Sequence, residues 1–456
     1  MAISFVLGNF LPPGAYGQYI ALLLLASTVA ILVAMPIDSA AIHYILKSKN
    51  QREQNCYYSA GTFIVLVNGA IVCLVLITGK SIFQSIFKLG TVGPSTYAAV
   101  IAVSIAIVIY AFYGKLMTVR FLFKEQIVVL LVGAVAQFSV IIYLIKTDTA
   151  NPSDFLIASL VFYAIGIACY EYRLRKEFSY TLQVEKDAHV RPLIRFSSLV
   201  YLGALTGFLD EKIDMLCINA MLNKEQLAYY SYVMLFGFSL YGIGLGVSQV
   251  TFPLFCQNFH KNDLASCELT YQRTLNYLFL VISFVGLALV YNGHLLITFL
   301  LPVEYLAILP VLSIIIPGMT LFAVFAGVGT LLTAAGKPQY GLWLVASFMV
   351  INLILNIVLI PQFGILGAAV ATSTTFLARS LTGHWLNKRV IGIHYRIDKL
   401  FSWYVVMIIL VAIGPYLHIV MREIILVFFF ILAGCSLTDT EERTWLRSLI
   451  TRPNLI

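Results

Sequence analysis

Long apolar blocks recur along this chain from Leu22 to Leu437, and no polar connector between them exceeds about 25 residues, too short for an independently folded domain. Blocks of this length suit helices crossing a hydrocarbon core of about 30 Å. Backbone N–H and C=O groups find no water there, so the blocks are stable only where hydrogen bonds close within the segment. The expected fold is all-α, a polytopic integral membrane protein of about fourteen transmembrane helices. The segments fall near 18–45, 58–78, 96–113, 127–145, 154–170, 196–218, 225–256, 273–292, 307–333, 340–360, 363–385, 401–419 and 423–437, with a short apolar stretch at 2–11 ahead of them. Composition agrees: 60% of residues are hydrophobic and 11% charged, against about 25% charged in a soluble domain.

The net charge of +8 is explained by where the basic residues fall, not by a nucleic-acid partner. One alternating set of connectors carries 23 of the 29 lysines and arginines, including Lys47, Lys115, Arg120, Arg173, Arg175 and the tail residues Arg443, Arg447 and Arg452. The opposite set carries only Lys80, Lys88, Lys146, Lys224 and Arg422, and Lys212 lies inside a segment. By the positive-inside rule the first set, and with it the C-terminal tail, is cytoplasmic. The first block has neither the basic start nor the small-residue cleavage site of a secretory signal peptide. The seven cysteines require no disulfide, and no Cys/His cluster has metal-ligand spacing. Walker A, GxSxG and HExxH motifs are absent from the sequence, which points away from an enzyme and offers no cofactor.

The stretch Pro13-Gly14-Ala15-Tyr16-Gly17-Gln18-Tyr19 leads into one apolar segment, and Gln226-Leu227-Ala228-Tyr229-Tyr230-Ser231-Tyr232 leads into another 213 residues on. Each half then supplies six segments in matching orientation, the pattern of a carrier built from parallel repeats. The expected organisation is an N-terminal six-helix bundle at 1–195, a second at 196–400, and two added helices with a tail at 401–456. By the same offset the first helix lacks most of its cytoplasmic half, since Ala2 to Leu11 would rise only about 15 Å. A start assigned too late or a genuine half-helix would each account for it. Tyr16, Tyr19, Tyr229, Tyr230 and Tyr232 are expected at the outer interface as an aromatic belt, or else stacked on sugars.

The seventh segment is interrupted by Asp210, Glu211, Lys212 and Asp214, each costing about 2.5 to 3.5 kcal/mol at a helix centre facing lipid. Gly203, Thr206, Gly207, Asp210 and Asp214 share one helical face. That stripe either lines a wet cavity or marks an outer helix end, since Asp210 lies about 21 Å and Asp214 about 27 Å from Phe196. Asp210 and Asp214 would suit a coupling cation or proton, and Lys212 either meets a pyrophosphate or snorkels to the surface. Asp38, beyond a kink expected at Pro36, is either a solvated interface charge or part of a cytoplasmic gate. In the second half Ser248, Gln249 and Thr251 hold like positions, suited to a glycan or to helix-to-helix bonds. Arg379 either snorkels or binds phosphate, and the small residues from Gly364 to Thr372 suit close helix packing.

Leu11-Pro12-Pro13-Gly14-Ala15-Tyr16-Gly17-Gln18-Tyr19 resembles the LGPxxYGxY junction of polysaccharide repeat-unit flippases, with Pro12 in place of the usual Gly. The run Asn352-Leu353-Ile354-Leu355-Asn356-Ile357-Val358-Leu359-Ile360-Pro361-Gln362-Phe363-Gly364-Ile365-Leu366-Gly367-Ala368-Ala369-Val370-Ala371-Thr372 resembles their NxxLNxxLIPxxGxxGAAxAT run. Ala335-Gly336-Lys337 and Phe252-Pro253 fall where that family has a Gly-Lys turn and a Phe-Pro. The family is that of the O-antigen (Wzx-type) flippases, in the superfamily that also holds multidrug and toxin extruders and lipid II flippases. The resemblance implies two six-helix bundles around a central cavity, alternating access, and an undecaprenyl-pyrophosphate-linked glycan as substrate. It implies a cavity exposing Asp38, the Asp210 to Asp214 cluster with Lys212, and Gln249, and a lipid-tail groove at 401–437; Arg379 is a further candidate from its own position. It also implies a bacterial inner-membrane location, with a glycan polymerase and a chain-length regulator as partners. An ion-coupled multidrug or small-metabolite antiporter on the same fold is the alternative.

Overall fold

The computed structural model describes residues 2–90, 92–147, 151–393, 395 and 397–438. The tail arginines Arg443, Arg447 and Arg452, together with Arg396, lie outside the described residues. Two compact units cover the chain, Met1–Ala228 and Tyr229–Ile456. The first holds α1 (Ala2–Phe10), α2 (Pro13–Val33), α3 (Ile37–Lys47), α4 (Gln51–Thr78), α5 (Lys80–Ile86), α6 (Pro94–Leu116), α7 (Phe123–Lys146), α8 (Pro152–Leu174), α9 (Arg191–Met221) and the start of α10 (Lys224–His260). The second continues α10 and adds α11 (Leu264–Tyr291), α12 (Gly293–Leu300), α13 (Leu309–Val324), α14 (Gly327–Ala334), α15 (Pro338–Phe363), α16 (Ile365–Ile391), α17 (Asp398–Ile413) and α18 (Ile419–Leu437).

Twelve helical stretches of the described residues are long and apolar enough to cross a membrane. The 27-residue α16 is less apolar because it trades large side chains for Gly, Ala, Ser and Thr, and α1 has nine residues. Together they give the fourteen expected segments. Outward faces carry large apolar side chains, as at Leu66, Ile127, Val135 and Phe428, which suits contact with lipid.

The 213-residue offset reappears in the helix bounds. Gln51–Thr78 and Leu264–Tyr291 have equal lengths, each bound 213 apart, and α5 and α12 start at residues 80 and 293. Their caps correspond too: the Asn50 side chain accepts from the Glu53 amide at 2.8 Å and the Asp263 side chain from the Ser266 amide at 3.0 Å. The Ser266 hydroxyl, donating to Asp263 Oδ2 at 2.7 Å, and the Ser266 amide together hold the Asp263 carboxyl below its ordinary range. The halves depart at two places. The chain breaks between α2 and α3, whereas α10 runs through the corresponding residues unbroken. Conversely α6 is continuous, and its counterpart is divided into a 3-10 stretch (Val303–Ile308), α13 and α14.

In the first unit α6 packs against α2, α3, α4 and α8, and α9 against α2 and α3. The connector after α8 is strapped across α4. The Thr181 amide donates to Ser59 Oγ at 2.9 Å, the Ser179 amide to Asn55 Oδ1 at 3.0 Å, and Arg52 Nε to Gln183 Oε1 at 2.9 Å. Tyr180 is the hub, its hydroxyl donating to Glu171 Oε1 at 3.1 Å and lying 3.1 Å from that of Tyr113 and 3.4 Å from that of Tyr58. Burial pushes the Tyr180 hydroxyl above its ordinary tyrosine value. In the second unit α16 packs against α13 and α15, and α11 against α13, α17 and α18.

Candidate functional site

The helix break between α2 and α3 builds the site in the first unit. Pro36 has no amide hydrogen to give and its ring opposes helix, so α2 ends at Val33 and leaves carbonyls without intrahelical partners. Side chains of neighbouring helices donate to the carbonyls of the break, that of Met35 also accepting from the Ile37 amide at 2.8 Å. Tyr201 donates to the Leu32 carbonyl at 2.5 Å, Asn68 to that of Met35 at 3.3 Å, and Ser197 to that of Pro36 at 3.3 Å. A broken helix at membrane depth is stable where protein re-satisfies its backbone in this way.

Beside the break lies a cavity of about 320 Å³, walled by α2, α3, α4, α6 and α9 through Ala30, Ile37, Val65, Phe112 and Phe208. Asp38 and Lys115 are the charged residues in its lining. Asp38 sits in the first turn of α3, where the helix dipole favours an anion, and Lys115 in the last turn of α6, where it favours a cation. The Lys115 ammonium lies 2.5 Å from Asp38 Oδ2. The Asp38 side chain is 8% exposed and the Lys115 side chain 58%. The second carboxylate oxygen, Oδ1, is buried with no hydrogen-bond partner.

Sequence reading singled out Asp38 but counted Lys115 among connector residues. The signal was the unbroken apolar run Ala111-Phe112-Tyr113-Gly114, which carries α6 one turn further and brings Lys115 into the cavity wall.

The structure does not gather the other site residues into this cavity. Its α9 wall is made by Ala204 and Phe208, whereas Asp210 and Asp214 lie further along the helix, Asp210 half-buried and Asp214 buried. Lys212 pairs with its neighbour Glu211 at 2.7 Å. Thr206 spends its hydroxyl on the Leu202 carbonyl at 2.7 Å, and Gly207 faces open space.

In the second unit Gln249 is exposed on α10, next to a buried Ser248 that donates to the Gly244 carbonyl at 2.8 Å. Arg379 lies near the middle of α16 with its guanidinium 4.9 Å from the Phe322 ring centre. That ring is stacked between Tyr241 at 4.3 Å and Phe376 at 4.1 Å. A groove of about 440 Å³ runs along α17 between α13 and α16, past Pro317, Leu377, Tyr404 and Pro415.

Neither expectation for the five tyrosines holds. Tyr16, Tyr19, Tyr229, Tyr230 and Tyr232 are all buried, so they form neither an interfacial belt nor an open sugar platform. Tyr19 reaches Ser159 at 3.3 Å, and Tyr229 and Tyr232 pack edge-on against Tyr305. A hydroxyl with a protein partner is as well placed in the core as at an interface.

The recurring motifs do structural work. A Cβ on Gly17 would collide with the Lys224 carbonyl, so the junction motif needs glycine where α2 meets the start of α10. Gly367 meets Leu359 and Gly318 meets Ser373 in the same way, which explains the small-residue run as close packing on α16. Asn352 and Asn356 are buried on α15, Asn356 donating to Asn352 at 3.2 Å.

A duplicated helical membrane protein with an ion pair beside a broken helix has the form of a multi-spanning carrier. The fold is that of solved carriers: a lipid II flippase in an inward closed conformation matches with a TM-score of 0.73 at 12% identity, covering 98% of this chain and 96% of that one. An inward-facing multidrug resistance transporter of the MATE family matches with a TM-score of 0.69 at 12% identity, over 86% and 93% of the two chains. Residues 6–310 match the family described as polysaccharide biosynthesis protein, and the chain belongs to that family. The kinship with polysaccharide flippases read from its motifs therefore stands. Its relatives include an uncharacterized membrane protein of Methanocaldococcus jannaschii, 24% identical over 415 residues that cover 84% of this chain and 81% of the relative. A probable low-salt glycan biosynthesis flippase of Haloferax volcanii is 25% identical over 217 residues, 47% of this chain and 46% of that protein.

Proposed function

We propose that this chain is a flippase that carries polysaccharide repeat units, linked to undecaprenyl pyrophosphate, from the cytoplasmic to the periplasmic leaflet of a bacterial inner membrane by alternating access. The observation that carries the reading is the polysaccharide biosynthesis match over residues 6–310 in a chain of carrier fold. The 23-to-5 division of basic residues supports a cytoplasmic C-terminus. Asp38, Asp210, Asp214, Gln249 and Arg379 are the polar positions proposed to meet the substrate or a coupling ion. Lys212 takes a lesser part, because its charge is engaged by Glu211. The groove along α17 suits the isoprenoid tail, being largely apolar in its lining. A carrier of this kind makes no covalent bond, so the reading is of a transporter and not an enzyme. A glycan polymerase and a chain-length regulator would act on what it delivers.

Deleting the gene in its natural host tests the proposal. Lipid-linked repeat units should accumulate in the cytoplasmic leaflet while surface polysaccharide disappears, and this chain should restore both. Unchanged surface glycan in a host with no second flippase would replace the reading with that of an ion-coupled small-molecule antiporter.

A further inference from the structure

We propose that Lys115 is the phosphate-contacting cation of the first-unit cavity and that Asp38 is its stand-in, occupying the ammonium until a lipid-linked phosphate displaces it. The inference rests on the flippase reading for its substrate class but on the cavity for its residues.

A buried ion pair that serves stability alone desolvates both partners and satisfies their remaining lone pairs, since otherwise burial costs more than the attraction returns. The pair here does neither. Its carboxylate is almost fully buried with Oδ1 bare, while its ammonium is more than half exposed at 58%. Such a lysine, on a flexible four-carbon stem with three donors, can turn from one oxyanion to another, the phosphate contacts offsetting the unpaired Asp38 carboxylate left behind. It reaches the cavity from the last turn of α6, and the rest of the lining is apolar or uncharged: Ser27, Ala30, Ile31 and Val65 on the facing helices and Phe112 on α6 itself. A phosphate entering this space therefore meets one cation, already carrying a competing anion, beside walls suited to the first carbons of an isoprenoid. At about 320 Å³ the cavity is at the small end of ligand sites, fit for a phosphate headgroup and not for a glycan. The break at Pro36 places the competitor: it ends α2 and starts α3, which carries Asp38 into the wall opposite Lys115.

The experiment measures binding of farnesyl pyrophosphate, inorganic pyrophosphate and farnesol to the purified full chain in detergent. Asp38→Asn removes the competitor and should tighten farnesyl pyrophosphate binding roughly three- to fivefold, the scale of a partly exposed ion pair. Lys115→Gln should abolish the phosphate-dependent part, Lys115→Arg should keep it, and farnesol should bind all variants alike. The same order with inorganic pyrophosphate assigns recognition to free phosphate chemistry, and the order with farnesyl pyrophosphate alone assigns it to a lipid headgroup. Because Lys115→Gln leaves a buried carboxylate unpaired, the neutral double variant Asp38→Asn, Lys115→Gln serves as its folded control and should likewise lose binding. Undiminished binding in that double variant, or no tightening in Asp38→Asn, overturns the proposal. Phosphate binding that follows this order in a chain unable to move glycan lipids would refute the flippase reading and leave the lysine site standing.

Discussion

The Lys337 ammonium lies 2.6 Å from the carbonyl oxygen of Val390, where α16 ends. The carbonyls of a helix's last turn have no intrahelical donors and carry partial negative charge, so a lysine there satisfies both needs. Gly336 makes the contact possible: its φ of +72° turns the chain after α14 so that Lys337 faces the end of α16. The Gly-Lys motif is thus one clasp, and each residue has its own measurable share. Gly336→Ala forces an L-residue into the left-handed region at a cost of about 1 to 2 kcal/mol. Lys337→Ala removes a cap contribution of about 0.3 to 1 kcal/mol. Thermal unfolding of the detergent-solubilised chain should show a lower melting temperature for both, with the glycine variant the more affected. A lysine variant that matches the wild type would mean the clasp contributes nothing to stability.

The strap across α4 makes a pH prediction. Tyr180 has a hydroxyl held above the ordinary value of 10.0, chiefly by burial, so the folded state binds that proton more tightly than the unfolded state does. Its contribution is therefore complete below pH 10 and is lost as pH rises through the folded value. Limited proteolysis of the 175–190 connector should show protection that is level from pH 7 to about 9 and falls above about 10. Tyr180→Phe keeps the ring beside Tyr58 but donates nothing to Glu171, so its protection should be lower at neutral pH and flatter with pH. A wild-type connector cut equally at pH 8 and pH 10.5 would remove Tyr180 from this role.

Much of the fold was legible because the bilayer leaves few choices: apolar block length fixed the helices, and the 213-residue offset fixed their correspondence down to the caps Asn50 and Asp263. The kink at Pro36 was legible for the same reason, since proline removes a donor wherever it falls. Less was legible at the candidate site. The partner of Asp38 lies 77 residues away on α6, a distance no periodicity spans. The buried tyrosines were misplaced because an amphipathic ring is equally at home in an interface and against a core hydroxyl, and only the packing of Tyr19 on Ser159 decides between them. Arg379 was read by its distance from a helix end, whereas its position over Phe322 depends on α13.

The charged interruption of α9 separates into two kinds of residue. Glu211 and Lys212 pair with each other at 2.7 Å, with side chains 51% and 31% exposed. An exposed pair of this kind contributes about 0.2 to 1 kcal/mol, so replacing both by alanine should leave abundance and translocation within about twofold of the wild type. Asp214 is only 2% exposed, so its carboxylate is held by protein groups and not by solvent, and it is the member of the cluster proposed to act in transport. Asp214→Asn keeps its volume and should lower translocation of lipid-linked glycan at least tenfold at equal abundance, as read by surface polysaccharide in the deletion host. If the Glu211, Lys212 double variant fails and Asp214→Asn does not, the functional face of α9 is the opposite one.

The break between α2 and α3 provides the last test, because the second half supplies its own comparison. Residues 34–36 correspond by the 213-residue offset to Val247, Ser248 and Gln249, which lie inside the continuous α10. The same place in the fold therefore accepts an unbroken helix, and it is Pro36 that prevents one in the first half. Pro36→Ala restores an amide hydrogen and removes the ring clash, at a difference in helix preference of about 3 kcal/mol. The helix should close over the break, releasing Asn68, Ser197 and Tyr201 from the carbonyls they now hold. Straightening α2 into α3 also turns Asp38 away from Lys115, because each residue added to a helix rotates those after it by about 100°. The expected result is a chain of equal or higher thermal stability that no longer translocates, with cysteines at positions 38 and 115 cross-linking through a short bifunctional thiol reagent in the wild-type background and not in Pro36→Ala. Cross-linking and transport that both survive the substitution would show that Asn68 and its neighbours hold the break without the proline.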